Sequence, residues 1–150
     1  MIAVIQRVSQ ASVQIDGKTK AAINTGLLVL LGITHNDTLE DIEWLSKKII
    51  NMRIFGDKDG KMNVALPEVN GDILLISQFT LHASTKKGNR PSFIEAAKPE
   101  TAIPLYEQMI KALQKELKKD IYTGEFGADM KVNLLNDGPV TIIVDSKNKV

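Results

Sequence analysis

Residues 132–144 read VNLLNDGPVTIIV, and this stretch decides how the C-terminal part of the chain folds. Two apolar runs, Val132–Leu135 and Val140–Val144, predict β-strands. Between them, Gly138 can take a positive φ, while Pro139 fixes its own φ and donates no hydrogen bond. Two interpretations stay open from these residues alone. The junction is a plain turn, because Asn, Asp, Gly and Pro are the commonest turn formers, or it is a backbone feature that serves a site.

Outside this stretch, the sequence predicts further strands and two helices. Asp16-Gly17 suits a two-residue type I′ turn, which predicts a hairpin. Thr38 and Asp41 match a capping box at the start of the first helix. The predicted strands cover 2–8, 12–15, 18–24, 27–33 and 72–81, and the predicted helices cover 38–53 and 100–119. This order predicts a single α+β domain over residues 1–150, in which two packed β-layers form a barrel-like unit with helices on one side.

Composition narrows the possible classes of protein. The 150 residues fit one domain, and the absence of Cys excludes disulfides, thiolate metal sites and thiol nucleophiles. The longest apolar run, Leu27–Leu31, is far shorter than a membrane span, and residues 1–7 do not resemble a signal peptide. We therefore expect a cytoplasmic protein with no membrane partner. The net charge of +1 argues against a duplex DNA partner and limits nucleic-acid contact to a short single-stranded end.

The predicted strand 72–81 carries a candidate site. Alternation along a strand would place Gln78, Thr80 and His82 on one face. Since a hydroxyl beside an imidazole could act as nucleophile and base, one hypothesis is an esterase that uses Thr80 and His82 on small acyl substrates. The alternative is an ordinary solvent-facing stripe. With only two histidines, and with no metal-binding or phosphate-binding motif, the sequence implies no metal and no cofactor.

The loop at 83–93, ASTKKGNRPSF, carries three cations. Lys86, Lys87 and Arg90 surround Gly88, and the side chains and backbone N–H groups of such a loop can bind phosphates. The other interpretation is a solvated charged loop. If the chain is not an enzyme, this loop would make it a module that binds the end of a tRNA or DNA.

Two short stretches together resemble the signature of a known family: Ser77-Gln78-Phe79-Thr80-Leu81 and Asn136-Asp137-Gly138-Pro139-Val140-Thr141. In these motifs the chain is similar to the D-aminoacyl-tRNA deacylases, once called D-tyrosyl-tRNA deacylases. The resemblance covers nearly the whole chain. Further motifs follow in the expected order at Ala3–Val8, Gly26–Val29, Lys87-Gly88, Arg90–Phe93 and Gly127–Met130.

The resemblance implies an enzyme and its partners. Members of the family hydrolyse the ester that joins a D-amino acid to the 3′-terminal adenosine of tRNA, and they also remove glycine. They are homodimers, in which a Gly-cisPro pair, here Gly138-Pro139, reaches from one protomer into the active site of the other. Its backbone carbonyls would reject an L side chain and leave room for a D side chain, which gives chiral proofreading. The expected partners are therefore aminoacyl-tRNA and a second copy of the chain.

The resemblance also assigns roles to residues of this sequence. Chemistry in the family relies on substrate positioning, on water and on the terminal ribose 2′-OH, with no indispensable side-chain nucleophile. The backbone groups of Phe79 and Thr80 would matter at least as much as the Thr80 hydroxyl. The implied site comprises Ser77, Gln78, Phe79 and Thr80 for catalysis, Gly138, Pro139 and Arg7 for chiral selectivity, Phe126 and Met130 for the terminal adenosine, and Lys86, Lys87 and Arg90 for the tRNA acceptor end.

Overall fold

A computed structural model describes residues 1–150. Eight strands, two helices and two short 3-10 turns follow one another along the chain. They are β1 (Ile2–Ile15), β2 (Lys18–Ile23), β3 (Gly26–Gly32), α1 (Leu39–Asn51), β4 (Phe55–Gly56), β5 (Met62–Val64), a 3-10 turn (Leu66–Val69), β6 (Asp72–Ser77), a second 3-10 turn (Phe79–His82), α2 (Pro99–Leu117), β7 (Tyr122–Thr123) and β8 (Lys131–Asp145). Neither helix is long and apolar enough to cross a membrane.

Six of the strands form one sheet that curls into a barrel-like unit. Its order is β2-β1-β3-β6-β7, and β8 pairs with β1 along nearly the whole length of both strands. The first half of β1 therefore lies between β3 and β8, and the second half lies between β2 and β8. β2 also comes into contact with β6 and β7, so the sheet is nearly closed. The predicted α+β, barrel-like architecture is confirmed.

Two apolar clusters lie on opposite faces of this sheet. The larger cluster packs both helices against alternate residues of the central strands, such as Val29 and Leu75. The smaller cluster fills the barrel interior with the residues in between, such as Leu28 and Leu74. Because β3 and β6 are buried on both faces, their sequences are continuous apolar runs rather than alternating ones. The predicted position of the helices, on one side of the sheet, is confirmed.

Local signals at turns and caps are confirmed. Asp16 and Gly17 have φ values of 51° and 74°, as a type I′ hairpin turn requires. The backbone N–H of Thr38 donates to Asp41 Oδ2 over 2.8 Å at the start of α1, which forms the predicted capping box. The separation of 2–8 from 12–15 was wrong, because both segments lie on the single strand β1.

The predicted strand over 72–81 was also wrong in its second half. The parallel ladder with β3 ends at the pair Leu31 and Ser77, and its last bond runs from Gln78 N to Leu31 O over 2.8 Å. With no further partner strand, the chain turns, and Leu81 N donates to Gln78 O over 3.2 Å. Gln78, Thr80 and His82 therefore do not share a strand face.

A buried polar network ties both ends of the chain to the start of α1. The α-ammonium group of Met1 donates to Asp37 Oδ1 over 2.6 Å and to Ser146 Oγ over 3.0 Å. Ser146 Oγ in turn donates to Asp41 Oδ1 over 2.6 Å, and Lys147 Nζ donates to Asp41 Oδ2 over 2.8 Å. Burial raises the pKa of Asp41, but the hydrogen bonds from Lys147, Ser146 and Thr38 outweigh it and hold that pKa well below its usual range.

We expect this network to make the fold acid-sensitive. The pKa of an Asp in an unfolded chain is about 3.9. Because the pKa of Asp41 is lower in the folded protein, its carboxylate stabilises the fold above that pH, and this stability is lost as the pH falls below it. Urea unfolding from pH 7 to pH 3 should show a falling free energy, and Asp41→Asn should flatten the fall. Glu107→Gln, at an exposed carboxylate of α2, serves as the control with the wild-type slope. A wild-type slope in Asp41→Asn would contradict the assignment.

Candidate functional site

A cavity opens where the parallel strands β3 and β6 end. Its volume is about 60 Å³, and part of it is open to solvent. Carboxyl ends of parallel strands are a common position for small-molecule sites. The cavity is lined by Leu31, Ile33, Ser77, Gln78, Phe79, Ala97, Ala102, Phe126 and Gly127. Ser77, Gln78, Phe79 and Phe126, which the sequence analysis singled out, thus meet in one place.

The 3-10 turn at Phe79–His82 supplies the polar groups at the cavity mouth. Phe79 and Thr80 are its first two residues, and the N–H groups at such a position have no acceptor inside the turn. Gln78 Nε2 donates a short hydrogen bond to Thr80 Oγ1, which fixes both side chains. The arrangement presents backbone donors beside an apolar cavity, with no ionised side chain among the lining residues.

Tyr106 packs against Phe126, one of the residues that line the cavity. Its hydroxyl group donates to Leu75 O over 3.0 Å, and its ring lies 5.8 Å from the ring of Phe126. Burial raises the pKa of Tyr106 to about 12, so the hydroxyl stays protonated at neutral pH and keeps this bond. The position of the Phe126 ring is therefore set by the buried face of α2.

The Gly138-Pro139 segment lies elsewhere on the surface. Gln6 pairs with Thr141 and Val8 pairs with Asn136, so the four residues 137–140 face a single residue of β1 and bulge out of the ladder. The predicted strands on either side are therefore one strand, β8, with a bulge. The Gly138–Pro139 peptide bond is cis.

The exposed Gly138-Pro139 segment lines a separate surface cleft, together with Arg7, Phe55, Gly56, Gly60, Met62, Asp137 and Val140. This cleft shares no lining residue with the cavity beside β6.

The Arg7 side chain holds this bulge in place by donating to a backbone carbonyl of the bulge. Its Nε donates to Asp137 O and its Nη1 donates to Ile54 O, both over 2.7 Å. From the other side, Val140 N donates to Asn136 Oδ1 over 2.7 Å. These bonds fix the segment firmly although both Gly138 and Pro139 are exposed.

The basic loop is closed at its base. Ser84 and Ser92 exchange two backbone hydrogen bonds of 2.8 Å each. Lys86, Lys87 and Arg90 are all exposed between them, and residues 84–94 contain no carboxylate. The loop returns to the cavity mouth, because the ring of Phe93 lies 5.2 Å from that of Phe79.

Two sequence-selected residues lie away from the cavity. Met130 packs against the cluster inside the barrel, and its predicted contact with the terminal adenosine stays a prediction. His82 makes no hydrogen bond to Thr80, and its Nε2 is buried without a partner. No group of three His, Asp or Glu side chains lies close enough to hold a metal ion.

Ala97 and Ala102 are cavity residues that the sequence analysis missed. An alanine carries no chemical signature. The packing of α2 against the sheet brings Ala102 to the cavity, and the bond from Ala97 N to Ile33 O over 2.9 Å brings Ala97 there.

Comparison with known proteins gives a consistent result. The family described as D-Tyr-tRNA(Tyr) deacylase matches residues 4–145. Relatives named D-aminoacyl-tRNA deacylase occur in Flavobacterium johnsoniae, 65% identical, and in Cytophaga hutchinsonii, 67% identical, in both cases over 149 residues and 99% of each chain.

Two solved structures share the fold. A structure titled c-Myc DNA Unwinding Element Binding Protein is 41% identical, with a TM-score of 0.91 over 97% of this chain and 98% of that one. A second, titled as a probable eukaryotic D-amino acid tRNA deacylase, is 16% identical, with a TM-score of 0.82 over 95% and 97% of the two chains. At that identity the second comparison shows the fold alone.

Proposed function

The chain belongs to the D-Tyr-tRNA(Tyr) deacylase family, and we propose that it hydrolyses the ester between a D-amino acid and the 3′-terminal adenosine of tRNA. The observation that carries this proposal is the 65–67% identity to D-aminoacyl-tRNA deacylases over 149 residues. The products are a free D-amino acid and tRNA, so the protein is a hydrolase. This reaction would place it with the translation machinery in the cytoplasm.

The cavity beside β6 suits the terminal adenosine. Its walls are mainly apolar, and the Phe126 ring offers a flat face on which a base can stack. With the base seated there, the ribose and the ester would lie at the mouth, beside the turn that begins at Phe79. We infer that the N–H groups of Phe79 and Thr80 donate to the oxygen that becomes negative as the ester carbonyl is attacked.

Hydrolysis then needs little from side chains. A water molecule adds to the ester carbonyl, and the tetrahedral intermediate collapses with loss of the ribose 3′-oxygen, which takes up a proton. The neighbouring 2′-OH of the substrate is placed to assist this proton transfer. Because no lining side chain is ionised, the protein contributes positioning and backbone donors, which together can supply a large part of the rate acceleration.

We infer that chiral selection comes from Gly138-Pro139 of a second protomer. In support, this segment is exposed, rigidly held by Arg7, and lines a cleft separate from the cavity of its own chain. A homodimer would bring it to the partner's cavity, where its backbone carbonyls would reject an L side chain and pass a D side chain. Glycine has no side chain to reject, so glycyl-tRNA would also be hydrolysed.

The proposal is tested with matched substrates. The purified protein is mixed with D-tyrosyl-tRNA, L-tyrosyl-tRNA and glycyl-tRNA, and loss of the ester is followed against a buffer control. We expect rapid hydrolysis of the D-tyrosyl and glycyl esters and protection of the L-tyrosyl ester. Equal rates on the D and L substrates, or no hydrolysis of the D substrate, would refute the proposal.

Replacement of the Thr80 hydroxyl tests the backbone mechanism. We expect Thr80→Ala to keep activity within about tenfold of the wild type, because the loss of one hydrogen bond from Gln78 costs about 1 kcal/mol. Thr80→Ser keeps the hydroxyl and should match the wild type. The measurement is kcat/KM on D-tyrosyl-tRNA, and complete loss in the alanine variant alone would point to a side-chain nucleophile instead.

The geometry gives little support to the esterase hypothesis. The two residues that it needs lie on a 3-10 turn. The Thr80 hydroxyl group accepts a hydrogen bond from Gln78, and the buried His82 Nε2 makes no hydrogen bond to it. Turnover of a small ester such as p-nitrophenyl acetate, abolished by His82→Ala, would revive it.

A DNA-binding function is the second candidate, because a structure 41% identical to this chain carries that description in its title. The near-neutral net charge argues against a grip on a duplex, while the loop with Lys86, Lys87 and Arg90 could contact a short strand. Tight, salt-sensitive binding to duplex DNA without hydrolysis of D-tyrosyl-tRNA would favour this function over the deacylase.

A further inference from the structure

Two aromatic rings continue the cavity outward onto the surface. Phe79 lines the cavity and is 56% exposed, and Phe93 lies beyond it and is 38% exposed. Their centroids are 5.2 Å apart and the ring planes meet at 77°, an edge-to-face pair. Phe93 therefore presents flat apolar surface one ring further from the cavity.

The position of Phe93 is fixed from both sides. On the side that precedes it, the paired backbones of Ser84 and Ser92 close the basic loop. On the side that follows, His35 Nε2 donates to Ile94 O over 2.9 Å, and Thr34 Oγ1 donates to Glu95 O. An exposed aromatic ring on so well anchored a backbone loses little entropy when it binds, so it is preorganised for a partner.

The charge around these rings indicates the class of partner. Lys86, Lys87 and Arg90 lie on the same loop, and the nearest carboxylate along the chain is the exposed Glu95, two residues after Phe93. Exposed aromatic rings next to cations are what proteins use to hold single-stranded nucleic acid, because bases stack on the rings while phosphates pair with the cations. A protein partner of this patch would have to be acidic and apolar at once, whereas a tRNA 3′ end supplies both properties in each nucleotide.

We propose that Phe93 is the stacking platform for the base of the penultimate nucleotide of the tRNA, next to the terminal adenosine in the cavity. This inference rests on the proposed function and adds a specificity contact to it. Phe93 makes the enzyme prefer a polynucleotide 3′ end over an isolated aminoacyl-adenosine. The basic loop holds the phosphate between the two nucleotides.

The experiment compares two substrates that differ only beyond the terminal nucleotide. These are D-tyrosyl-tRNA and 3′-O-D-tyrosyl-adenosine, which lacks the penultimate base. Phe93→Leu keeps an apolar side chain against Phe79 but removes the flat face. We expect kcat/KM on the tRNA to fall about tenfold, as is typical for loss of one stacked base, while kcat/KM on the adenosine ester stays within twofold. Phe93→Tyr keeps the ring and should match the wild type on both substrates.

Each other outcome overturns the inference in a recognisable way. An equal fall on both substrates means that Phe93 only supports the cavity wall. Wild-type rates on both substrates in Phe93→Leu, or a tenfold fall on the tRNA in Phe93→Tyr, mean that no base stacks there. A change of oligomeric state in light scattering means that a second copy of the chain covers the ring instead. If the wild type hydrolyses neither substrate, the proposed function itself has failed, which is distinct from all of these.

Discussion

Gly138→Ala should lower kcat/KM on D-tyrosyl-tRNA about 100-fold and should reduce the preference for the D substrate over the L substrate. Gly138 has a φ of 147°, a conformation that costs an L residue about 1–3 kcal/mol. A Cβ atom there would lie 2.7 Å from Val140 Cγ2, 2.9 Å from Val140 N and 3.1 Å from Arg7 Nη2. Since Val140 N is held by Asn136, the segment itself must shift, and a displacement of about 1 Å can cost about 100-fold in rate.

Gly17→Ala is the matched control for this change. Gly17 also has a positive φ, 74°, but a Cβ atom there meets nothing within 4 Å. We expect it to cost about 1 kcal/mol of stability and to leave both rates unchanged. If Gly138→Ala folds and keeps the wild-type D rate and D-to-L ratio, the Gly138-Pro139 segment is not part of an active site.

The fold was largely predictable where local signals decide it. The Asp16-Gly17 hairpin, the capping box at Thr38 and the doubly buried strand at 27–33 depend on neighbouring residues, and all three are confirmed. Strand ends were not predictable in the same way. The end of β6 at Ser77 depends on where its partner β3 ends, and the residues that follow, QFTL, still alternate between polar and apolar as a strand does.

The residues of the candidate site can also be separated into those that were predictable from the sequence and those that were not. Phe79 and Phe126, far apart in sequence, meet in the cavity, and the family resemblance had put both at the site. Ala97 and Ala102 were not predicted, because their side chains carry no functional group and matter only through the space that they leave. A site built from backbone donors and empty volume leaves few marks in a sequence, and for this reason the resemblance carried more of the functional prediction than the side chains did.

Ala102→Leu should abolish most of the activity by filling the cavity. Ala102 lies on α2 with its side chain at the cavity wall, and three additional carbons there would occupy space that the proposed function gives to the terminal base. We expect kcat/KM on D-tyrosyl-tRNA to fall by a factor of about 100 or more, because a substrate that cannot seat its adenosine loses its orientation at the turn. Because Ala102 is buried among core residues, the added carbons should also cost about 1–3 kcal/mol of stability, so the free energy of unfolding is measured beside the activity.

Thr101→Leu places a leucine at the exposed neighbouring position of α2 and should behave as the wild type. Binding of adenosine, measured by calorimetry, should be present in the wild type and in this control and lost in Ala102→Leu. Retention of both adenosine binding and activity in Ala102→Leu would place the substrate elsewhere.

Together, the Gly138→Ala and Ala102→Leu variants reveal whether the segment acts across a dimer. In a mixed dimer, the Gly138→Ala protomer supplies an intact cavity and the Ala102→Leu protomer supplies an intact segment to it, so one of the two sites is wild-type in composition. Random mixing makes half of the dimers mixed, and we expect the activity to recover to about a quarter of the wild-type value. A segment that served the cavity of its own chain would leave both sites of the mixed dimer defective, and activity would not recover although mixed dimers form.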